Sequence, residues 1–144
     1  MYQSGSARVG VDLMGSAPAP KFVTTGDLVA MNTRTNRIAW KRHYALPPAQ
    51  RGKRSSACTA GSITTAGGLV FAGVPETLAH AVIAYDAKAG RELWRFRTDA
   101  GIEAPPSTYL GSDGRQYVAV YAGGRTADGS NKHGDSVYAF ALDR

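Results

Sequence analysis

The sequence has one cysteine, Cys58, and it lacks the patterns of several common protein classes. A single cysteine excludes an internal disulfide and a cysteine-pair metal site, and no Cys-x-x-Cys-His haem attachment pattern is present. No stretch approaches the roughly 20 apolar residues that a membrane helix requires, so we expect a soluble chain. Residues 1–20 lack a charged start followed by an apolar run, and no signal peptide is therefore indicated.

Acidic residues are fewer than basic ones: 17 Lys and Arg against 11 Asp and Glu give a net charge of +6. Such a balance is one feature of proteins that bind nucleic acid or anionic membranes. The densest basic run, Arg51-Gly-Lys53-Arg54, has no alternating aromatic residues, and no helix-turn-helix, zinc-knuckle or RNA-binding signature accompanies it. We interpret this run as a solvated loop and expect no nucleic-acid partner.

Residues that bind metals or transfer protons are also sparse and scattered. The three histidines are His43, His80 and His133, and none of them has a second ligand at a metal-binding spacing. Asp86, Asp113 and Asp135 fall in segments typical of turns and loops, where a carboxylate accepts backbone amides. We therefore predict no catalytic residue and no metal ligand from these patterns.

The informative feature that is present is an internal repeat. The segment from Ala30 to Trp40 (AMNTRTNRIAW) aligns with the segment from Ala84 to Trp94 (AYDAKAGRELW) at an offset of 54 residues. A small residue, Asn or Asp, Asn or Gly, Arg and Trp recur in register. A third, degenerate start at 137–140 follows at an offset of 55 residues. Such spacing is typical of repeat architectures, propellers among them.

The chemistry of each repeat predicts a β-hairpin. An apolar run such as 82–85 favours a strand, Asp86 can accept turn amides, and Gly90 can adopt a positive φ. Between the repeats, two more hairpins are predicted with turns at 66–68 and 111–114. Two hairpins per period make four strands in roughly 50 residues, which is the size of a propeller blade.

The repeated tryptophans have a structural interpretation. A large ring that recurs once per blade packs between neighbouring sheets, and Ala30 and Ala84 are small because another blade lies against them. On this basis we expect Trp94→Ala to destabilise the protein by about 3–5 kcal/mol. The predicted fold is all-β: a partial β-propeller of two to three four-stranded antiparallel blades over 21–144, preceded by an irregular N-terminal segment, 1–20.

The repeat resembles the tryptophan-docking motif of the pyrroloquinoline quinone (PQQ)-dependent dehydrogenases, the quinoproteins. Longer stretches also resemble the late blades of that family, and they are 61–73, 101–109, 113–124 and 134–142. The resemblance covers 27–144 almost continuously. It therefore indicates the C-terminal propeller blades of an alcohol or glucose-type dehydrogenase.

The resemblance implies a periplasmic propeller of about eight blades, with PQQ on the central axis beside Ca²⁺ or a lanthanide. In such enzymes a base removes the substrate hydroxyl proton while hydride passes to the quinone. Electrons then leave to a cytochrome or a membrane quinone. The metal-binding carboxylate and the base belong to earlier blades, so neither is expected in this chain.

One segment is expected to approach the cofactor. By resemblance, Cys58, Thr59, Gly61 and Ser62 precede or begin the innermost strand of a blade, where family members come close to the quinone. Many relatives have a Trp-Asn pair near this position, whereas this chain has Cys58 and Thr59. Other branches of the family have a Cys followed by a run of small residues like this one. The small residues permit close approach and the hydroxyls can bond quinone carboxylates. The alternative is a small buried thiol in a packed inner turn.

Three functions remain open from the sequence. The first is a C-terminal fragment of a PQQ-dependent dehydrogenase that oxidises an alcohol, sugar or polyol, is inactive alone, and needs the remaining blades or another copy of the chain. The second is a non-catalytic scaffold propeller that binds protein partners. The third is an orphan fragment without activity. The sequence specifies neither the substrate, nor the metal, nor the electron acceptor.

Overall fold

The computed structural model describes residues 2–7, 25–44, 60–74, 80–102, 104–124 and 133–142. The regular structure within these ranges is β-strand, and they contain no helix long and apolar enough to span a membrane. The strands are β1 (Tyr2–Ala7), β2 (Thr25–Asn32), β3 (Arg37–Tyr44), β4 (Ser62–Thr64), β5 (Leu69–Val74), β6 (Ala81–Asp86), β7 (Glu92–Arg97), β8 (Ser107–Leu110), β9 (Gln116–Ala122) and β10 (Ser136–Phe140).

These strands form three antiparallel sheets that follow one another along the chain. The first sheet has the order β1-β2-β3, the second β4-β5-β6-β7, and the third β8-β9-β10. Each strand pairs with its neighbour in sequence, as in the blades of a propeller. The all-β, partial-propeller prediction is confirmed. The second sheet has the four strands of a whole blade, and the sheets do not close into a ring.

Strand β1 lies inside the segment 1–20, where irregular structure was expected. Its backbone pairs antiparallel with β2, Tyr2 opposite Ala30 and Ala7 opposite Thr25. A strand edge with unpaired amides and carbonyls readily accepts another extended segment, and residues 2–7 contain no proline that would prevent pairing. The structure therefore differs from the expectation for Tyr2–Ala7, and residues 8–20 lie outside the described residues.

The core lies in two layers, one on each face of the second sheet. Buried side chains of the first and second sheets form one layer, and they are Leu28, Ala30, Trp40, Val70, Ala72, Val74, Ala81, Ile83 and Tyr85. The second and third sheets form the other, from Phe71, Val82, Ala84, Ala100, Ile102, Val118, Val120 and Ala122. Because both faces are covered, β6 is a continuous apolar run.

The repeated hairpin turns have the predicted geometry. Asp86 Oδ1 accepts the amides two and three residues ahead, and Asn32 Oδ1 does the same in the first repeat, at distances between 2.7 and 3.2 Å. Gly90 and Asn36, at equivalent positions, have φ values of 65° and 52°. Local side-chain chemistry thus forms the same turn twice.

Candidate functional site

The first tryptophan joins the first sheet to the second. Trp40 is 9% exposed, and its indole N–H donates a hydrogen bond of 2.9 Å to the carbonyl oxygen of Ala87. A Cβ atom at Gly90 would lie 2.4 Å from the Trp40 ring, so only glycine allows this approach. Arg42 Nε donates to the carbonyl of Gly90 beside it. These contacts, which we call the Trp40 joint, attach strand β3 to the turn between β6 and β7.

Two tyrosines extend this joint. The ring of Tyr85 lies tilted against Trp40 with 6.4 Å between centroids, and its hydroxyl is 2.9 Å from that of Tyr44. Burial raises the pKa of Tyr85, while the hydrogen bond with Tyr44 opposes the rise. The buried phenol therefore stays protonated and bridges the two sheets.

The second tryptophan is placed differently. Trp94 is 38% exposed, and its ring stands edge-on to Phe140 at 5.0 Å and stacks on Phe96 at 6.2 Å. Within the described residues its indole N–H has no acceptor. Trp94 contacts the neighbouring sheet through Phe140, as predicted for the repeated tryptophans. It is more exposed than Trp40, because the described residues contain no turn and glycine to cover it, as Ala87 and Gly90 cover Trp40.

A groove opens beside Trp94 between the second and third sheets. Its volume is about 660 Å³. Apolar side chains dominate its lining, and among them are Leu69, Phe71, Leu93, Val118, Phe140 and Leu142. Leu142 is 81% exposed at its end. The groove thus begins where the covered core between these sheets ends.

An acidic clamp joins the second and third sheets at another point. The carboxylate of Asp99 accepts hydrogen bonds from Ser136 Oγ at 2.6 Å and from the Tyr138 hydroxyl at 3.0 Å. The bond from Ser136 contributes most to a pKa of Asp99 below its usual value, although desolvation opposes it. A further neighbour, the buried Thr98, donates its hydroxyl to the carbonyls of His80 and Ala100. The clamp orders the segment before the third sheet.

The four residues predicted to contact the quinone are only partly described. Cys58 and Thr59 lie outside the described residues. A Cβ atom at Gly61 would lie 2.8 Å from Pro105 Cβ, so close packing of the next sheet accounts for this glycine. Ser62 opens β4 opposite Ala72 and is half-buried. Among the described candidates, Ser62 is the one whose side chain can hydrogen-bond a ligand.

Two of the three histidines considered in the sequence, His43 and His80, contact polar groups nearby. His43 Nδ1 and Lys41 Nζ each lie 2.8 Å from a carboxylate oxygen of Asp27. Burial would raise the pKa of Asp27, but these two partners hold it below its usual value. His80 Nδ1 contacts the Thr98 carbonyl at 2.5 Å. His133 and Asp135 are exposed.

Asp113 is a turn residue, as predicted. It accepts the amide and the guanidinium of Arg115 and the hydroxyl of Tyr117, which together lower its pKa to about 2. No group of three or more His, Cys, Asp or Glu suited to a metal ion occurs in the part of the chain that the structure describes. The contacts of Trp40 and Asp99 join one sheet to the next.

Two features were not predicted from the sequence: the carbonyl of Ala87 that accepts the hydrogen bond of Trp40, and the contact of Asp99 with Ser136. The carbonyl of Ala87 carries no residue-specific signal, since any residue supplies one. Asp99 and Ser136 are 37 residues apart in ordinary polar sequence. The contact between Gly61 and Pro105 was also missed, although glycine and proline at two blade starts were a usable signal.

Comparison with known proteins gives a consistent result. The family model described as glucose/ethanol/alcohol dehydrogenase, beta-propeller domain, matches residues 16–118. The chain is 35% identical over 122 residues to the quinoprotein alcohol dehydrogenase PedE of Pseudomonas putida, covering 85% of this chain and 17% of PedE. It is 32% identical over 126 residues to the quinoprotein glucose dehydrogenase of Escherichia coli, covering 81% and 15%.

A solved structure agrees with the sequence comparisons. The quinohemoprotein alcohol dehydrogenase of Comamonas testosteroni superposes with a TM-score of 0.65 at 32% identity, covering 87% of this chain and 18% of that protein. The chain thus spans less than a fifth of the length of each of these proteins.

Proposed function

Because this chain belongs to the β-propeller family of glucose, ethanol and alcohol dehydrogenases, we propose that it forms adjacent blades of a quinoprotein dehydrogenase. The enzyme we propose oxidises an alcohol, a sugar or a polyol. The observation that carries the proposal is the Trp40 joint, which packs one blade-like sheet on the next through Ala87 and Gly90. The relatives PedE and the glucose dehydrogenase of Escherichia coli are dehydrogenases, and they support an enzyme over a scaffold.

We propose that the chain is inactive unless the rest of the ring is present. The structure describes three sheets, and natural propellers close with about four to eight blades. The chain also spans only 17% of PedE. In this proposal the catalytic base and the carboxylate for Ca²⁺ or a lanthanide belong to other blades.

The edges formed by β4 and β8 are the proposed inner side of the blades. Strands β3 and β7, which carry the tryptophans, lie at the opposite edges and would form the rim. Ser62 begins β4, so its hydroxyl would donate to a quinone carboxylate, and Cys58, Thr59 and Gly61 would form the adjoining wall. Bound PQQ would supply the site that accepts hydride from the substrate.

The remaining proposals concern the setting of the enzyme. We propose a periplasmic location and electron transfer to a cytochrome or a membrane quinone. Both rest on the family alone, and the described residues contribute no contact to either partner.

A segment replacement tests the proposed function. The stretch of the Comamonas testosteroni enzyme that superposes on this chain would be replaced by this chain. The chimera is expected to retain PQQ-dependent oxidation of alcohol with an artificial dye as acceptor. The matched control carries Gly90→Val, which places atoms in the Trp40 ring and should abolish the activity.

Circular dichroism and PQQ content separate the outcomes. A chimera that folds and contains PQQ but does not oxidise alcohol would contradict the proposal, and so would a folded chimera that takes up no PQQ. Equal activity with and without Gly90→Val would show that the joint is not what the enzyme needs.

A further inference from the structure

The turn between β8 and β9 contains a chemically reactive pair of residues, Asp113-Gly114. An aspartate followed by glycine is prone to rearrangement of its backbone, because glycine has no side chain that shields its amide nitrogen. The sequence contains one other such pair, Asp128-Gly129, which lies outside the described residues. The contacts of Asp113 therefore decide how readily the pair in the turn reacts.

The rearrangement begins when the Gly114 nitrogen attacks the side-chain carboxyl carbon of Asp113. A carbon–nitrogen bond forms, and the amide proton leaves with the hydroxyl of the protonated carboxyl group as water. The product is a five-membered succinimide ring. A water molecule then opens this ring: attack at the main-chain carbonyl carbon gives isoaspartate, and attack at the side-chain carbonyl carbon restores aspartate. No oxidant or reductant takes part.

Both oxygens of the Asp113 carboxylate accept hydrogen bonds in the closed turn. Oδ1 accepts the amide of Arg115 at 3.0 Å, and Oδ2 accepts Arg115 Nε at 2.6 Å and the Tyr117 hydroxyl at 2.9 Å. These donors, Arg115 first among them, favour the ionised group and lower the pKa of Asp113 to about 2. An ionised carboxylate has no hydroxyl group to lose as water, so these contacts oppose the first step.

The attacking nitrogen is held as well. The Gly114 N–H donates to the carbonyl of Gly111 at 3.0 Å, and the Gly111 N–H donates to the carbonyl of Arg115 at 2.8 Å. A Cβ atom at Gly111 would lie 2.6 Å from Asp113 Oδ1, so the turn closes tightly around the carboxylate. Attack on the carboxyl carbon requires the Gly114 amide to leave its acceptor, and the turn must open for this to happen.

Stacking holds the two donor side chains in place. The ring of Tyr117 stacks on that of Tyr109 with 5.2 Å between centroids, and the guanidinium carbon of Arg115 lies 5.4 Å from the centroid of the Tyr117 ring. Arg115 Nη2 also donates to the Tyr117 hydroxyl at 2.8 Å. The Asp113 side chain is nevertheless 42% exposed, so water for the second step reaches it.

We propose that Asp113 is a latent isoaspartate site, which reacts only when the hairpin of β8 and β9 opens. Local opening of the hairpin frees the Gly114 amide and lets the carboxyl group bind a proton. Isoaspartate lengthens the main chain by one carbon, so the product cannot restore both hydrogen bonds that close the turn. The modification therefore persists as a record of opening. It does not depend on quinone or on any dehydrogenase activity.

Ageing of the full chain at about pH 5, above the usual pKa of an aspartate, tests the proposal. Isoaspartate is located by electron-transfer fragmentation of proteolytic peptides, which cleaves its Cα–Cβ bond and so distinguishes it from aspartate. The same incubation in urea gives the rate in the unfolded chain. In urea, Asp113 and Asp128 should react at similar rates, since glycine follows both. In the folded chain, Asp113 should react at least tenfold more slowly than in urea.

Arg115→Ala is the variant that removes the main donor. It should accelerate isoaspartate formation at Asp113 by about tenfold or more, because each unit by which the pKa rises increases the protonated fraction about tenfold. Tyr117→Phe retains the ring and loses only the hydroxyl, so it should accelerate the reaction less. Arg34→Ala, at an exposed arginine in a turn of the first sheet, is the control and should change the rate less than twofold.

Three results would overturn the proposal: equal rates at Asp113 in the folded chain and in urea, an unchanged rate in Arg115→Ala, and no isoaspartate at Asp113 in urea. Circular dichroism shows whether each variant is folded. If Arg115→Ala is unfolded, Tyr117→Phe decides, and an unchanged rate in that variant would count against the proposal in the same way.

Discussion

The indole nitrogen of Trp40 and the carbonyl oxygen of Ala87 are 2.9 Å apart, and their hydrogen bond connects two sheets across 47 residues of sequence. In the second copy of the same motif, Trp94 is 38% exposed. The motif thus specifies the hairpin that carries the tryptophan, while the burial of the ring depends on the next turn. The two rings should therefore contribute unequally to the stability of the chain.

Trp40→Ala is expected to lower the free energy of unfolding by about 3–5 kcal/mol, the range for truncation of a buried aromatic side chain. Trp94→Ala should lower it by less, about 1–3 kcal/mol, because more than a third of that residue is already exposed. Urea unfolding followed by circular dichroism measures both. Equal losses would mean that the two rings are equally buried.

Gly90→Ala and Gly114→Ala form a matched pair. Both glycines have a positive φ, 65° and 74°, so each substitution should cost about 1–2 kcal/mol of backbone strain. A Cβ at Gly90 would also meet Trp40 at 2.4 Å, whereas a Cβ at Gly114 has no atom within 4 Å. Overpacking should add about 1–3 kcal/mol at Gly90 alone. Thermal unfolding of both variants checks the difference, and its absence would contradict the close contact.

Gly61→Ala tests whether packing against Pro105 is the reason that position 61 has a glycine. If packing against Pro105 decides, the substitution should destabilise the chain by about 1–3 kcal/mol. Adding Pro105→Gly should recover part of the loss, with a coupling of about 0.5–3 kcal/mol in the double-mutant cycle. Unchanged stability of the isolated chain, together with reduced PQQ content in the chimera, would favour a role for Gly61 at the cofactor instead.

The clamp at Asp99 predicts a dependence on pH. Its pKa is lowered in the folded chain, chiefly by Ser136, so the folded state binds this proton less readily than the unfolded state does. The clamp should therefore stabilise the fold fully above about pH 4, the usual range for an unfolded aspartate, and less as the pH falls through the lowered pKa.

Asp99→Asn is the variant that removes this titration. The stability difference between wild type and Asp99→Asn should shrink as the pH is lowered from 6 to 3, and chemical denaturation at several pH values measures it. Asp135→Asn is the control, because Asp135 is exposed and lies directly before β10, the strand that contains Ser136. A difference that grows on acidification would contradict the direction assigned to the pKa of Asp99.

The sequence was sufficient for features that depend on neighbouring residues. Asp86 and Gly90 form the predicted turn because their side-chain chemistry acts over two to four residues. The offset of 54 residues between the two motifs likewise identified equivalent hairpins, and both hairpins have a register shift at the same place. Both depend on local geometry, which recurs wherever the motif recurs.

Features that depend on distant elements were not predictable in this way. The exposure of Trp94 depends on which element packs beyond β10. The contact of Gly61 with Pro105 depends on how one sheet packs against the next. The strand β1 was also not predicted, because it forms by pairing with the edge of β2 and no local sequence pattern indicates that pairing. For the quinone site, the contact predicted at Ser62 stays a prediction.

Reconstitution with PQQ and Ca²⁺ tests the central claim, that these blades serve a quinone only as part of a whole ring. The isolated chain and the chimera would be titrated side by side while the quinone absorption is followed. We predict one PQQ per chimera and no stoichiometric binding by the isolated chain. Tight one-to-one binding by the isolated chain, or no binding by a folded chimera, would contradict the account.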